Sequence, residues 1–241
     1  SKNFTDLPAS IPWDVDEVAT NRARNTLAFT TNENGVSKLY TLSAATRKFL
    51  PVAGVPAGVI SSLNFHPNGR ELGFVVNTTQ APSDIYTINL ADNKLTQWTF
   101  SEVGGLDNSA FAVPELIQYP TFDQVNGKPR TIPAFYYKPK NTSGKIPVVI
   151  YIHGGPEGQT LATFNSMISF LVNDLGIAVI APNVRGSSGY GKTFLKLDNG
   201  TKREESVKDI GALLDWVGKQ QDLDASRVAV YGGSYGGYMV L

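Results

Sequence analysis

Val230-Tyr231-Gly232-Gly233-Ser234-Tyr235-Gly236-Gly237-Tyr238-Met239 reads as a β-strand, a serine framed by glycines and the opening of a helix. A serine placed on a sharp strand-to-helix turn needs very small residues two positions before and two after it, because the backbone folds back on itself there. Gly232 and Gly236 occupy those positions. Gly-x-Ser-x-Gly is a weak signal alone, since glycine and serine are both common residues. Its meaning depends on what precedes it.

Moving outward, residues 228–231 (Val-Ala-Val-Tyr) form the strand that leads into Ser234, and residues 147–152 (Pro-Val-Val-Ile-Tyr-Ile) form a continuous apolar run. Such a run suits a strand buried on both faces of a sheet. Between them, Phe164, Met167, Ile168, Leu171 and Leu175 fall on one predicted helical face that Gly176 ends. Residues 177–181 give another strand, and Val207, Ile210, Leu214 and Val217 mark a second helix opened by Glu204 and Glu205. Those two carboxylates complement a helix N-terminus rather than form an acid/base pair. Residues 115–119 and 132–137 pair as a hairpin through Asn126-Gly127. Alternating strands and helices predict a mostly parallel sheet with helices on its faces.

The neighbour that gives Ser234 its chemistry is His153-Gly154-Gly155-Pro156, directly after the strand 147–152. Acyl transfer builds negative charge on a carbonyl oxygen, and two backbone N–H groups aimed at it lower the barrier by a few kcal/mol. In α/β-hydrolases one donor is the residue after the nucleophile, here Tyr235, and the other comes from a His-Gly-Gly loop after an early strand. Glycines 154 and 155 let that backbone approach a substrate closely. The hydrolase order is Ser, then Asp or Glu, then His, so His153, which precedes Ser234, is a support for the loop and not the general base. Asp222 and Asp224 also precede the serine and read as turn and capping residues. With seven residues after Ser234, the sequence supplies no acid and histidine in the required order. The expectation is a piece of a longer protein, inactive by itself.

The first hundred residues have another texture. Residues 27–30 and 38–42 flank Asn32-Glu33-Asn34-Gly35, and 72–75 and 84–88 repeat the pair 45 to 46 residues later, Leu39-Tyr40-Thr41-Leu42 matching Ile85-Tyr86-Thr87-Ile88. A repeat of this period with alternating strands predicts four-stranded propeller blades, about two of them. Two blades cannot close a propeller, so further blades are expected before Ser1, with a small open β domain as the alternative. His66, in the turn Pro67-Asn68-Gly69, bonds to local backbone on this reading. The expected domains are 1–110, a partial β-propeller, and 111–241, the N-terminal part of an α/β-hydrolase domain stopping just after the serine elbow.

Composition agrees with this reading. Lys plus Arg and Asp plus Glu both number 21, so nothing favours nucleic acid or an anionic membrane as partner. There is no cysteine, which removes disulfides, thiolate metal sites and a cysteine nucleophile. No run approaches the roughly 20 apolar residues of a membrane-spanning helix, and the opening Ser1-Lys2-Asn3-Phe4 is no signal peptide. The compartment stays open, with the cytoplasm favoured and export compatible. No cofactor and no metal are expected, and homo-oligomerisation is left open.

Four stretches together resemble the prolyl oligopeptidase family of serine peptidases, most closely its acylaminoacyl-peptidase and dipeptidyl-aminopeptidase-like branches. They are residues 151–156, Asn183-Val184-Arg185-Gly186-Ser187-Ser188-Gly189-Tyr190-Gly191, residues 224–230 and residues 232–239. The resemblance implies a propeller before an α/β-hydrolase domain, with Ser234 as the acyl-forming nucleophile and the Tyr235 and Gly155 N–H groups as oxyanion donors. It implies peptide substrates cleaved near the N-terminus, and a loop near the site at 183–191 whose Arg185 is either structural or substrate-contacting. An esterase and a non-catalytic propeller-based binding protein are the alternatives carried with it.

Overall fold

Turn chemistry lays out the first part of the chain. In the computed structural model, which describes residues 11–140 and 142–241, the chain divides into units Ser1–Leu106 and Asp107–Leu241. The opening Ser1-Lys2-Asn3-Phe4 lies outside the described residues. In the first unit β1 (Val15–Thr20), β2 (Thr26–Glu33), β3 (Val36–Ser43) and β4 (Phe49–Pro51) pair in sequence order, all antiparallel. β5 (Val59–Phe65), β6 (Glu71–Asn77), β7 (Asp84–Asn89) and β8 (Leu95–Gln97) do the same. Asn34 and Gly35, with φ of 55° and 81°, make the tight turn between β2 and β3; a two-residue hairpin needs positive φ at both positions.

The 45-residue repeat is visible as matching cross-strand pairs. Phe29 faces Tyr40 and Phe74 faces Tyr86, with ring centroids 5.3 Å and 6.3 Å apart. Stacked pairs of this kind contribute about 0.5–1.5 kcal/mol beyond their buried area. The two copies differ at one matched position: Leu39 is buried in the cluster around Ile60 and Leu63, whereas Ile85 is exposed. Glu17 of β1 ties the two sheets together, its carboxylate accepting the Ser62 N–H at 3.0 Å and the Leu63 N–H at 2.8 Å. Those donors sit where the β5–β6 register shifts and Ser62 takes a φ of 58°. His66 accepts the Asn68 N–H on Nδ1 within its turn, at 3.2 Å.

In the second unit Asn126 and Gly127, at φ of 52° and 75°, join β9 (Glu115–Val125) to β10 (Lys128–Tyr137). With β11 (Ile146–Ile152), β12 (Ala178–Pro182) and β13 (Leu223–Gly232) they form one sheet in the order β13-β11-β12-β10-β9. β11 is parallel to both β12 and β13, while β10 is antiparallel to β12 and to β9. The sheet is therefore mixed rather than mostly parallel. A two-residue turn can only return the chain antiparallel, so the hairpin 115–137 fixes one side, and parallel pairing starts where helical crossovers begin.

The crossovers carry α1 (Ser166–Ser169), α2 (Gly191–Leu195) and α3 (Glu205–Gly218), and α4 (Tyr235–Val240) follows β13. Two helical registers differ from the sequence expectation. After α1 the chain widens into a π-turn, Phe170–Asp174, closed by the Leu175 N–H on the Phe170 carbonyl. That extra residue per turn turns Leu175 outward and leaves Ile168 and Val172 as the buried pair. In α3 the inner face is Ser206, Asp209, Ile210, Leu213 and Val217, and Leu214 is exposed. A buried aspartate occupies a core position that an apolar pattern passes over. β11 alternates, with Ile146, Val148, Ile150 and Ile152 buried against Leu213, Val217 and Met239 and its other face half-buried, while β12 is buried throughout. Among the described residues no helix is long and apolar enough to cross a membrane, and no group of three or more His, Asp or Glu could hold a metal ion.

Candidate active site

Ser234 stands between the last residue of β13 and the first of α4, exposed, with φ 54° and ψ −120°. A non-glycine residue in that region is strained by about 1–3 kcal/mol and persists only where its surroundings hold it. The glycines around it are steric requirements. A Cβ on Gly232 would lie 2.6 Å from the Gly236 carbonyl carbon, and one on Gly236 would lie 2.2 Å from the Ile152 carbonyl oxygen. The start of α4 thus packs directly on the end of β11. As the first residue of α4, Tyr235 has an N–H with no carbonyl to bond within the helix. Its hydroxyl is 2.7 Å from Ser206 Oγ.

The end of β11 brings the His153–Pro156 loop against the serine. A Cβ on Gly154 would lie 3.5 Å from Ser234 Cβ and 4.0 Å from its Oγ. Gly155 has φ 147°, and a Cβ there would meet the Gly158 nitrogen at 2.4 Å. Several ties fasten the segment 153–160 to residues 183–190. Asn183 Oδ1 accepts the Thr160 N–H at 2.7 Å while its Nδ2 donates to the Thr160 carbonyl at 3.1 Å. The Ser188 N–H donates to the Gly158 carbonyl at 3.0 Å. Ser187 Oγ lies 2.9 Å from His153 Nε2.

His153 is buried with both ring nitrogens engaged, Nδ1 lying 2.7 Å from the Gly154 carbonyl. A carbonyl only accepts, so Nδ1 carries a proton. Neither nitrogen is directed at Ser234. Burial pushes the imidazole pKa below its usual 6.5, against a smaller opposite pull from the Gly154 hydrogen bond. The folded ring is thus neutral where an unfolded one takes a proton, and stability falls as pH drops below 6.5 until the folded pKa is passed. Denaturant titrations of the full-length protein between pH 7.5 and 5 are expected to show His153 adding a slope of up to about 1.4 kcal/mol per pH unit. His153→Gln should remove it. An unchanged slope in that variant would refute the assignment.

Loop 183–191 is itself clamped from below. Arg185, 3% exposed, donates Nε and its own backbone N–H to Asp209 Oδ2 at 3.0 Å each, and Nη2 to Asp209 Oδ1 at 2.8 Å. Nη2 also reaches Asp123 Oδ1 at 2.9 Å, and the guanidinium lies 4.3 Å from the centre of the Phe122 ring. Thr121 Oγ1 donates to Asp209 Oδ1 at 2.6 Å. Burial raises the Asp123 pKa, but hydrogen bonds from Arg185 and Arg130 outweigh it and hold the carboxyl below its usual range. Arg185 thus joins β9, α3 and the loop, a structural position. Asp198, fully buried and paired with Arg203, packs where a Cβ on Gly186 would come within 2.2 Å.

The remaining candidates lie elsewhere. Asp224 accepts from the Ser226 N–H and hydroxyl and from Arg227 at the far end of β13 from Ser234, and the Ser226 and Arg227 bonds hold its carboxyl at about 2. Asp222 pairs with Lys138. Glu204 and Glu205 open α3, Glu205 accepting from Lys208 at 2.7 Å. Sequence reasoning passed over Ser187, Asp209, Thr121 and Ser206. The available signal was an aspartate at a core-facing position of an amphipathic helix and a hydroxyl inside Asn-x-Arg-Gly-Ser.

Residues 162–241 match the prolyl oligopeptidase family model. The uncharacterized peptidase YuxL of Bacillus subtilis (strain 168) is 30% identical over 185 residues, covering 75% of this chain and 27% of that protein. Dipeptidyl aminopeptidase BIII of Pseudoxanthomonas mexicana is 36% identical over 105 residues, 42% of this chain and 15% of the relative. Acylamino-acid-releasing enzyme 1 of Oryza sativa subsp. japonica is 28% identical, over 72% and 20%. The chain therefore spans about a quarter or less of the length of these relatives. Among solved structures, a prolyl endopeptidase superposes with a TM-score of 0.80 at 21% identity, over 97% of this chain and 33% of that one. The acylaminoacyl peptidase of Pyrococcus horikoshii gives 0.75 at 22%, over 95% and 35%. Residues 162–241 thus match the prolyl oligopeptidase family, and the peptidases to which the chain is similar point the same way.

Proposed function

We propose that these residues belong to a serine peptidase that hydrolyses short peptides near their N-terminus through an acyl-enzyme on Ser234. The observation that carries the reading is the strained serine at φ 54° with the Gly154-Gly155 backbone lying against it. In the first step Ser234 Oγ bonds to the substrate carbonyl carbon and gives its proton to a general base. The tetrahedral oxyanion is held by the Tyr235 and Gly155 N–H groups, and collapse expels the amine, which takes the proton from that base. Water then releases the acid. His153, with both nitrogens engaged, is not that base. The base and its orienting acid come from outside these 241 residues, which alone do not turn over. The meander sheets β1–β4 and β5–β8 are two blades of a propeller within 1–110, ahead of the hydrolase unit 111–241. The dipeptidyl aminopeptidase and acylamino-acid-releasing relatives favour action at the substrate N-terminus.

The test is labelling of the full-length protein with a fluorophosphonate. Stoichiometric label on Ser234, lost in Ser234→Ala, supports the reading, and absence of label on folded protein overturns it. Aminoacyl arylamides hydrolysed faster than short-chain esters support a peptidase. The reverse order makes it an esterase.

A further inference from the structure

The Gly155 N–H belongs to the same peptide plane as the Gly154 carbonyl. In a trans peptide the two groups point in opposite directions, so whatever fixes the oxygen aims the N–H. That bond is trans here, the cis bond being the next one, Gly155-Pro156. His153 Nδ1 holds the Gly154 oxygen at 2.7 Å, and the oxygen is crowded from behind, since a Cβ on Gly158 would approach it to 2.2 Å. The ring needs an anchor of its own, because an imidazole held at one nitrogen still pivots about its χ angles. Ser187 supplies it: with the ring neutral and Nδ1 protonated, Nε2 accepts the one Ser187 hydroxyl proton over 2.9 Å, in competition with the Val184 carbonyl 2.6 Å from Oγ. Val184 O also accepts the Ser187 N–H at 3.0 Å, and Ser187 is fully buried. The Arg185–Asp209 clamp makes this turn a fixed point.

We propose that Ser187 is a positioning residue for catalysis: through His153 it orients the Gly154–Gly155 peptide and so aims the Gly155 N–H at the oxyanion. The proposal rests on the reading of Gly155 as an oxyanion donor. Of these ties, the one from Ser187 acts on the peptide that carries the donor. The others hold Gly158, Gln159 and Thr160, further along. Its effect belongs to the transition state, because a ground-state carbonyl depends less on the donor than an oxyanion does.

In the full-length protein, with turnover expressed per fluorophosphonate-titrated serine, Ser187→Ala is expected to lower kcat by about 10- to 100-fold while KM moves less than about 3-fold. His153→Phe should do the same, and the double variant should lose no more than the larger single loss, since both act through one peptide. Counting per titrated serine removes any unfolded fraction. If Ser187→Ala keeps wild-type kcat, raises KM alone, or adds its loss in full to that of His153→Phe, the proposal is overturned. Wild-type protein that takes no label would instead overturn the assignment of Ser234, a result distinct from these.

Discussion

Ser234→Ala in the full-length protein is expected to lower kcat by about 10⁴- to 10⁶-fold with KM little changed, the loss found when a hydrolase nucleophile is removed. Binding contacts survive the change, and the bond-forming oxygen does not. The backbone adds a second readout. At φ 54° and ψ −120° an alanine keeps the strain of the serine, but a glycine relieves about 1–3 kcal/mol of it. The entropy glycine loses on folding takes back about 0.5–1 kcal/mol. Ser234→Gly should therefore be as inactive as the alanine variant and more stable than it by about 1 kcal/mol in urea denaturation. Activity surviving in either variant would remove Ser234 from the chemistry. A glycine variant less stable than the alanine one would mean that the elbow is not strained.

Much of this was legible before any coordinates. Gly232, Gly236 and the run 153–156 revealed a strand-to-helix elbow and a loop beside it, because steric need at glycines leaves a mark in sequence that few other residues could fill. Asn126-Gly127 likewise announced its hairpin. Leu214 and Leu175 misled for a common reason: periodicity weighs leucine by hydrophobicity, while the packing of α3 put an aspartate on the inner face and a π-turn rotated the residues after α1. Sheet direction was misjudged because β10 and β12, neighbours in space, are separated by β11 in sequence. Asp209 and Ser187 stayed hidden for a deeper reason. A buried polar residue is recognisable only through its partners, and Arg185 and His153 meet theirs 24 and 34 residues away.

Arg185→Met is expected to destabilise the full-length protein by about 3–5 kcal/mol, because it leaves the carboxylate of Asp209, fully buried, with its main charge partner gone. Thr121 Oγ1 and the residue-185 backbone N–H would still donate to that carboxylate, but neither carries charge. Asp209→Leu is expected to cost less, since the guanidinium, 3% exposed, loses its buried partner but keeps Asp123 at 2.9 Å. The double variant discriminates between two accounts of the pair. If the attraction of the ion pair were the source of stability, either single change would already remove it and the double variant would stay as unstable as the single ones. If each charge mainly answers the desolvation of the other, Arg185→Met with Asp209→Leu should recover most of the loss, as apolar replacements of buried pairs do. Recovery should stay incomplete, because Asp209 also accepts the backbone N–H that sets the start of the loop and Asp123 would keep only Arg130. Measured by urea denaturation, a double variant no more stable than the single ones would overturn this view of the clamp. If instead the double variant regains stability while its kcat stays low, the clamp serves to hold loop 183–191 in register with the His153–Pro156 loop.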